Sequence, residues 1–280
     1  MRIFITGHRG QLGRALWQRL GAEHELEGGD LPDWDMTDPV QAERRISGFR
    51  PDVVIHAAAL THVDYAAQHP EEAIRINGVG TYNVVLGARA ASARIIAVST
   101  NEVFDGQASR PYREYDRRSP ANPYGYSKYV AEQVVERLAP HYAIVRTAWL
   151  YAPGGSNFVH KILERARSGE ALRVVTDEVG SPTYAADLAD AIAQLVTLGR
   201  PGVFHLTNAG ACSRYEFAQE ALRAAHLDVE VEPITSDAFV RASTPPPYAP
   251  LDNVFAAALG IRLRPWQEAL AEYVAGHEGQ

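Results

Sequence analysis

The fold class that this sequence predicts is α/β: a Rossmann-type, doubly wound parallel sheet with a smaller C-terminal substrate-binding lobe. Three observations predict it. Short apolar, β-branched runs alternate with amphipathic helical stretches, as strands and crossover helices do. Those runs are continuous rather than alternating apolar and polar, which suits strands buried on both faces. The first run leads directly into a glycine-rich turn that opens a helix.

In chain order, Arg2 to Thr6 reads as the first strand and Leu12 to Leu20 as the first helix. Glu23 to Glu27 is the expected second strand. The second helix, Pro39 to Phe49, has a readable start: Asp38 as N-cap, Pro39 at the first helical position and Gln41 three residues after the cap. Strands are expected at Asp52 to His56, Arg94 to Ser99, His141 to Arg146 and Leu172 to Val175, with helices at Glu71 to Ala91 and Ser127 to Leu138. Helical crossovers of this length imply parallel, right-handed connections. After about residue 150 the alternation loosens. The run "STPPPYAP" (243–250) reads as a long surface connection before a last helix, Pro265 to Ala275. The expected division is therefore a dinucleotide-binding unit, 1–150, and a smaller substrate-binding lobe, 151–280, partly interleaved with it.

Composition narrows the function classes. With 46% hydrophobic residues, the 280-residue chain can bury a substantial core. A net charge of −7 leaves no electrostatic footprint for nucleic acid or an anionic membrane, so neither is an expected partner. The single cysteine, Cys212, excludes an intramolecular disulfide and fits a reducing compartment. "MRIFITGHRG" lacks a signal-peptide pattern, no run of about 18 apolar residues follows, and cytoplasm is the expected location. No metal site is expected.

The turn "TGHRGQLGRAL" places Gly7, Gly10 and Gly13, with Gln11 and Leu12 between them, at the mouth of the first helix. Glycines there let the backbone bend tightly and approach a pyrophosphate, whose charge the helix N–H groups meet. A dinucleotide site follows, with NADP(H) or NAD(H) as the cofactor. The choice between them stays open. Asp30, near the end of the second strand, suits the ribose hydroxyls of NAD, whereas Arg9 inside the loop suits the 2′-phosphate of NADP. Asp35, followed by Met36, could reach the adenine amino group.

In "ANPYGYSKYVAE" (121–132), Tyr124 precedes Lys128 by four residues, and Lys128 is one of only two lysines among 27 basic residues. That spacing puts both on one helix face. A phenol titrates too high to exchange a proton readily at neutral pH, so an adjacent ammonium is expected to lower its pKa. Lysine also has donors to spare for a nicotinamide ribose. Tyr126 and Tyr129 lie at other angles, where they pack or touch substrate. Ser99 and Thr100 end the fourth strand, where open parallel sheets bind ligands, and are candidate hydrogen-bond donors to a carbonyl.

The motifs "TGHRGQLG", "HAAALTHVD", "VSTNEVFDG", "PYGYSK" and "RTAWLYA" together resemble an extended short-chain dehydrogenase/reductase of the dTDP-4-dehydrorhamnose reductase family. The resemblance extends through "DEVGSPTYAADLA" and "LRPWQEALAEYV" and implies reduction of a 4-keto group on a nucleotide-linked deoxysugar. It implies Tyr124 as proton donor, Lys128 as its partner and Thr100 as a polarising hydroxyl. It also implies Ala57, Ala58 and Ala59 beside the cofactor, and Thr61, Val63 and Trp149 in the sugar pocket. The implied partner is a small-molecule sugar nucleotide, in dTDP-rhamnose biosynthesis or related carbohydrate biosynthesis; a homodimer is left open.

Two departures bear on substrate. Asn101 and Glu102 stand where the family has Asp-Tyr, and Pro245, Pro246 and Ala249 precede "LDN" where the family tends toward Arg-Pro and a serine. Glu102 changes size and charge near the substrate, and the arginine suited to a diphosphate is missing unless Arg241 or Arg214 replaces it. Two other readings stay open: an epimerase or dehydratase that retains its cofactor, and a non-catalytic NADP-binding regulatory subunit.

Overall fold

The computed structural model describes residues 1–238 and 240–277. From the N-terminus, β1 (Arg2–Thr6) runs into α1 (Gln11–Leu20), β2 (Glu25–Gly29), α2 (Pro39–Phe49) and β3 (Val53–His56). Next come α3 (Val63–Gln68), α4 (Pro70–Ala73), a π-helical turn (Ile74–Val79), α5 (Gly80–Ala90) and β4 (Arg94–Thr100). A 3-10 turn (Asn101–Val103) and a long loop lead to α6 (Pro123–Leu138) and β5 (Tyr142–Thr147).

The second half begins with β6 (Leu150–Tyr151), α7 (Phe158–Arg167), β7 (Leu172–Val175), β8 (Val179–Gly180) and β9 (Thr183–Tyr184). It continues with α8 (Ala185–Leu198), β10 (Gly202–His205), β11 (Cys212–Ser213), α9 (Arg214–Ala224), β12 (Val231–Ile234), α10 (Val254–Ala258) and α11 (Trp266–His277).

Six strands pair in the order β2-β1-β3-β4-β5-β10, every pair parallel. The order reverses between β1 and β3, and that switch point is where a doubly wound sheet opens a crevice beyond its strand ends. One face is covered by α1 and α8, whose Leu12, Leu16, Ile192 and Leu195 pack against Ile3, Ile55 and Val145. The other carries α2, α5 and α6, with Ile46, Val84 and Val135 against Phe4, Val54 and Ile144. The strands are buried on both sides, which explains their uninterrupted apolar character.

Several elements match their expected positions and several differ for physical reasons. Asp38 caps α2 by accepting from the backbone N–H of Val40 (2.9 Å) and Gln41 (3.1 Å), and the Gln41 amide donates back to its carboxylate. The second strand is displaced two residues toward the C-terminus, because Gly28 and Gly29 pair opposite Ile5 and Thr6. The stretch 71–91 is two helices divided by the π turn, not one. Leu172 to Val175 is a strand, but its partner is β12 in a separate two-stranded sheet. The sixth strand of the main sheet is β10, four residues that local pattern did not mark.

A second cluster, with Tyr151, Leu163, Phe217, Trp266 and Tyr273 at its centre, forms the smaller lobe. The segment 241–250 is a strap between the lobe and the sheet rather than a surface connection. Arg241 Nε and Ser243 N each donate to Asp64 of α3 at 3.1 Å. Val179 N donates to Pro247 O (2.8 Å), Ala249 N donates to Val179 O (3.0 Å), and Asn101 Nδ2 donates to Ala249 O (3.2 Å). Its polar groups thus find partners on both banks. No helix among the described residues is long and apolar enough to cross a membrane.

Candidate active site

A cleft of about 630 Å³ opens at the carboxyl ends of the sheet strands, between the sheet and the lobe. Its floor is the glycine turn. Gly7 has φ +68°, and a Cβ there would come within 2.8 Å of the Ala58 backbone; a Cβ on Gly13 would collide with the Gly7 carbonyl oxygen. Only glycine fits both. Gly10, the N-cap of α1, has no side chain to satisfy the first-turn N–H groups, so they remain available to an anion. This cradle fits a dinucleotide pyrophosphate.

Of the residues expected to bind a cofactor, Gly7, Gly10, Gln11, Leu12, Gly13, Asp30, Asp35, Met36 and Ala57 to Ala59 all line the cleft. Asp30 accepts from Arg9 N and Leu31 N, each at 2.9 Å. Asp35 accepts from the Thr37 backbone and hydroxyl, both at 2.8 Å. Arg9 is the exception. Its guanidinium turns away to the Leu31 carbonyl (3.1 Å) and the Asp33 carboxylate, outside the cleft lining. Arg75, which sequence reading passed over, lines this end and donates to Thr37 Oγ1 at 2.9 Å.

Thr100, Tyr124 and Lys128 come together at the middle of the cleft. The helix α6 starts at Pro123, with Asn122 as N-cap accepting from Gly125 N at 2.8 Å, so Tyr124 sits in its first turn and Lys128 one turn on. Lys128 Nζ donates to Val98 O at 2.8 Å. Burial lowers its pKa to about 8, with Glu132 opposing. Burial raises the Tyr124 phenol above its ordinary value, Glu102 adds to that, and a hydrogen bond with Thr100 opposes it. The expected lowering by lysine is therefore overturned: desolvation of the phenolate, with the Glu102 charge, outweighs the Thr100 hydrogen bond.

Ser99 is not a second hydroxyl for this site. Its Oγ donates to Glu132 at 2.6 Å, and Glu132 also accepts Arg146 through both oxygens at 2.8 Å. Tyr126 is exposed and lies outside the cleft lining, as does Tyr129.

A buried polar chain supports Tyr124 from below. Ala58 N donates to Thr6 Oγ1 (3.1 Å), which lies 2.7 Å from His56 Nδ1. Thr81 Oγ1 donates to Asn77 O (2.5 Å) and lies 2.9 Å from His56 Nε2. Thr81 has spent its proton on Asn77, so Nε2 of His56 carries the hydrogen and Nδ1 accepts from Thr6. Burial, reinforced by Lys128, lowers the His56 pKa to about 3 and keeps it neutral. Asn77 Nδ2 then donates to Ser127 Oγ (2.8 Å), and Ser127 donates to the Tyr124 carbonyl (2.7 Å).

The far end of the cleft carries Thr61, Val63, Asn101, Glu102 and Trp149, all lining it. Glu102 accepts from Asn122 Nδ2 at 2.6 Å, and burial raises its pKa. Trp149 has a left-handed φ of +45°, a strained conformation that presents its ring beneath Arg214, whose Cζ lies 3.6 Å from the ring centroid. Arg214 lines the cleft; Arg241 does not, being held by Asp64 and Glu178. Arg214, one of the two arginines weighed for the diphosphate, leads α9. Gly125 was also missed: a Cβ there would collide with the Glu102 carbonyl oxygen, so glycine lets α6 dock against the 3-10 turn.

Comparisons with known proteins give the chain's relatives. The model of the RmlD substrate binding domain matches residues 1–278. A dTDP-4-dehydrorhamnose reductase of Mycolicibacterium smegmatis is 39% identical, over 99% of this chain and 86% of its own. The crystal structure of a dTDP-4-dehydrorhamnose reductase from Clostridium acetobutylicum superposes with TM-score 0.95 at 38% identity, covering 99% of this chain and 100% of that one. That of the Bacillus anthracis dTDP-4-dehydrorhamnose reductase, in complex with NADP, gives 0.96 at 35% identity, covering 98% and 99%.

Proposed function

Because this chain belongs to the RmlD substrate binding domain family, we propose that it is an NAD(P)H-dependent reductase of the 4-keto group of a nucleotide-activated deoxysugar. The observation that carries the reading is the convergence of Thr100, Tyr124 and Lys128 on the same cleft as the glycine cradle. A nicotinamide cofactor held here would supply the hydride. Gly7, Gly10 and Gly13 would hold the cofactor pyrophosphate at the α1 N-terminus, and Asp30 would accept from its ribose hydroxyls. Lys128 spends one of its three donors on Val98 O and keeps two for ribose hydroxyls.

Thr100 and Tyr124 orient the sugar carbonyl. On reduction the C=O π pair would move onto oxygen, and Tyr124 would give that oxygen its proton, leaving a secondary alcohol. The raised pKa keeps the phenol protonated at neutral pH, the form that has a proton to give. The tyrosinate that results would recover a proton from solvent. Glu102 and Arg214 face the sugar nucleotide, with Arg214 as the cation for its diphosphate. Thr61, Val63, Asn101 and Trp149 line the sugar pocket.

We further assign residues 1–150 to the dinucleotide unit and 151–280 to the substrate lobe. The interleaving is supported by α8 and β10, which return from the second half to the first core.

The test is NADH and NADPH oxidation followed at 340 nm with dTDP-4-dehydrorhamnose and related 4-keto sugar nucleotides. Stoichiometric oxidation with formation of the 4-hydroxy sugar is expected. Cofactor binding with no oxidation on any of them refutes the reductase reading and favours a regulatory subunit.

A further inference from the structure

The edge of the cleft beside β2 carries a cation aimed away from it. Arg9 N donates to Asp30, which fixes the loop residue next to a cleft-lining carboxylate. From that anchored backbone the guanidinium reaches across the Leu31 turn to the Leu31 carbonyl and the Asp33 carboxylate. The other arginine at this end, Arg75, is held by Thr37 at 2.9 Å and Glu72 at 3.6 Å. Both guanidinium groups at this end are thus already paired with acids.

From this arrangement we infer that Asp33 is a cofactor-specificity residue, which holds Arg9 away from the adenosine ribose so that a 2′-phosphate must compete with it for the guanidinium. The inference rests on the NAD(P)H reading above. A 2′-phosphate monoester carries between one and two negative charges and would otherwise gain charge-assisted bonds from Arg9. Asp33 removes those donors and adds a negative charge of its own, and Asp30 adds a second beside the ribose. An unphosphorylated ribose needs neither arginine, because Asp30 accepts from its hydroxyls. Arg9 and Asp33 are about half exposed (52% and 61%), so their pair is weak and screened by salt. Discrimination is accordingly graded, and the phosphorylated cofactor is bound less tightly rather than excluded.

The experiment uses the full chain with 5′-ADP and 2′,5′-ADP as probes, by calorimetry at low and moderate salt. The variants are Asp33→Asn, Arg9→Ala and the double variant, with NADH and NADPH affinities measured in parallel. Asp33→Asn is expected to tighten 2′,5′-ADP about three- to tenfold and to leave 5′-ADP within about twofold. That gain should shrink as salt rises and vanish in the double variant. An unchanged ratio of the two affinities in Asp33→Asn overturns the inference, as does a gain that persists without Arg9. Failure of the folded wild-type chain to bind either nucleotide refutes the cofactor reading itself, and this inference falls with it.

Discussion

Lys128 donates its ammonium to the backbone carbonyl of Val98 at 2.8 Å, and this bond ties the middle of the cleft to the end of β4. The next strand residue, Ser99, is tied to the same helix one turn further on, at Glu132. Two successive strand residues are thereby pinned by two helix residues four apart, which holds Tyr124 at a fixed height over the sheet.

Burial lowers the Lys128 pKa from 10.5 to about 8, and two opposite pH effects follow. Activity depends on the ammonium, so the rate should fall as pH rises through about 8. Stability should move the other way. Below pH 8 both folded and unfolded chains hold this proton, and the folded state bears the full burial cost. Between about 8 and 10.5 the unfolded chain binds more protons, so this group's contribution rises with pH, by about 3 kcal/mol at most. Urea midpoints for the wild type and Lys128→Met from pH 7 to 10 check the sign: the difference between them should narrow as pH rises. Lys128→Arg should lose activity at every pH, because a planar fork cannot replace the point charge at Val98.

Tyr124→Phe removes the proton donor and leaves the helix packing. Turnover should fall about 10²- to 10⁴-fold while NADPH affinity stays within about threefold. Stopped-flow single-turnover rates and fluorescence titration separate the two, and near-normal turnover would remove Tyr124 from the mechanism.

Glu132→Gln would leave Arg146, which is fully buried, facing a neutral amide in place of two charged oxygens. Loss of about 3–5 kcal/mol of stability is expected, because an uncompensated buried charge is costly. Denaturant unfolding reads it directly, and a loss below about 1 kcal/mol would contradict the buried-pair argument.

Gly13→Ala should lower NAD(P)H affinity by at least about tenfold, because the new methyl would displace the Gly7 carbonyl and with it the cradle. Calorimetry with NADPH measures this, and circular dichroism shows whether the fold is retained.

Where chemistry is written in neighbouring residues, sequence reading was sufficient. The Asp38 cap, the glycine turn after β1 and the Tyr124–Lys128 spacing each depend on contacts within a few positions. The misses depend on contacts across the chain. Arg9 points away because Asp33, 24 residues later, takes its guanidinium. Leu172 to Val175 was seen as a strand, yet its partner, Val231 to Ile234, lies about 60 residues on and decides which sheet it joins. Arg241 and Arg214 are equal candidates by sequence, and only the docking of α9 in the second core brings Arg214 to the cleft. Tyr124 has a raised rather than lowered pKa because burial is a tertiary property that no local motif carries.

The edge strand β10 has a temporal consequence. It closes the sheet against β5, and α8 just before it covers α1. During synthesis, a nascent chain exposed as far as β5, with the glycine turn, the tyrosine and the lysine already out, still has a bare β5 edge and an uncovered α1 face. The dinucleotide unit can complete itself only after residue 206 has cleared the ribosome, so most of the polypeptide must be translated before its first half reaches a native sheet.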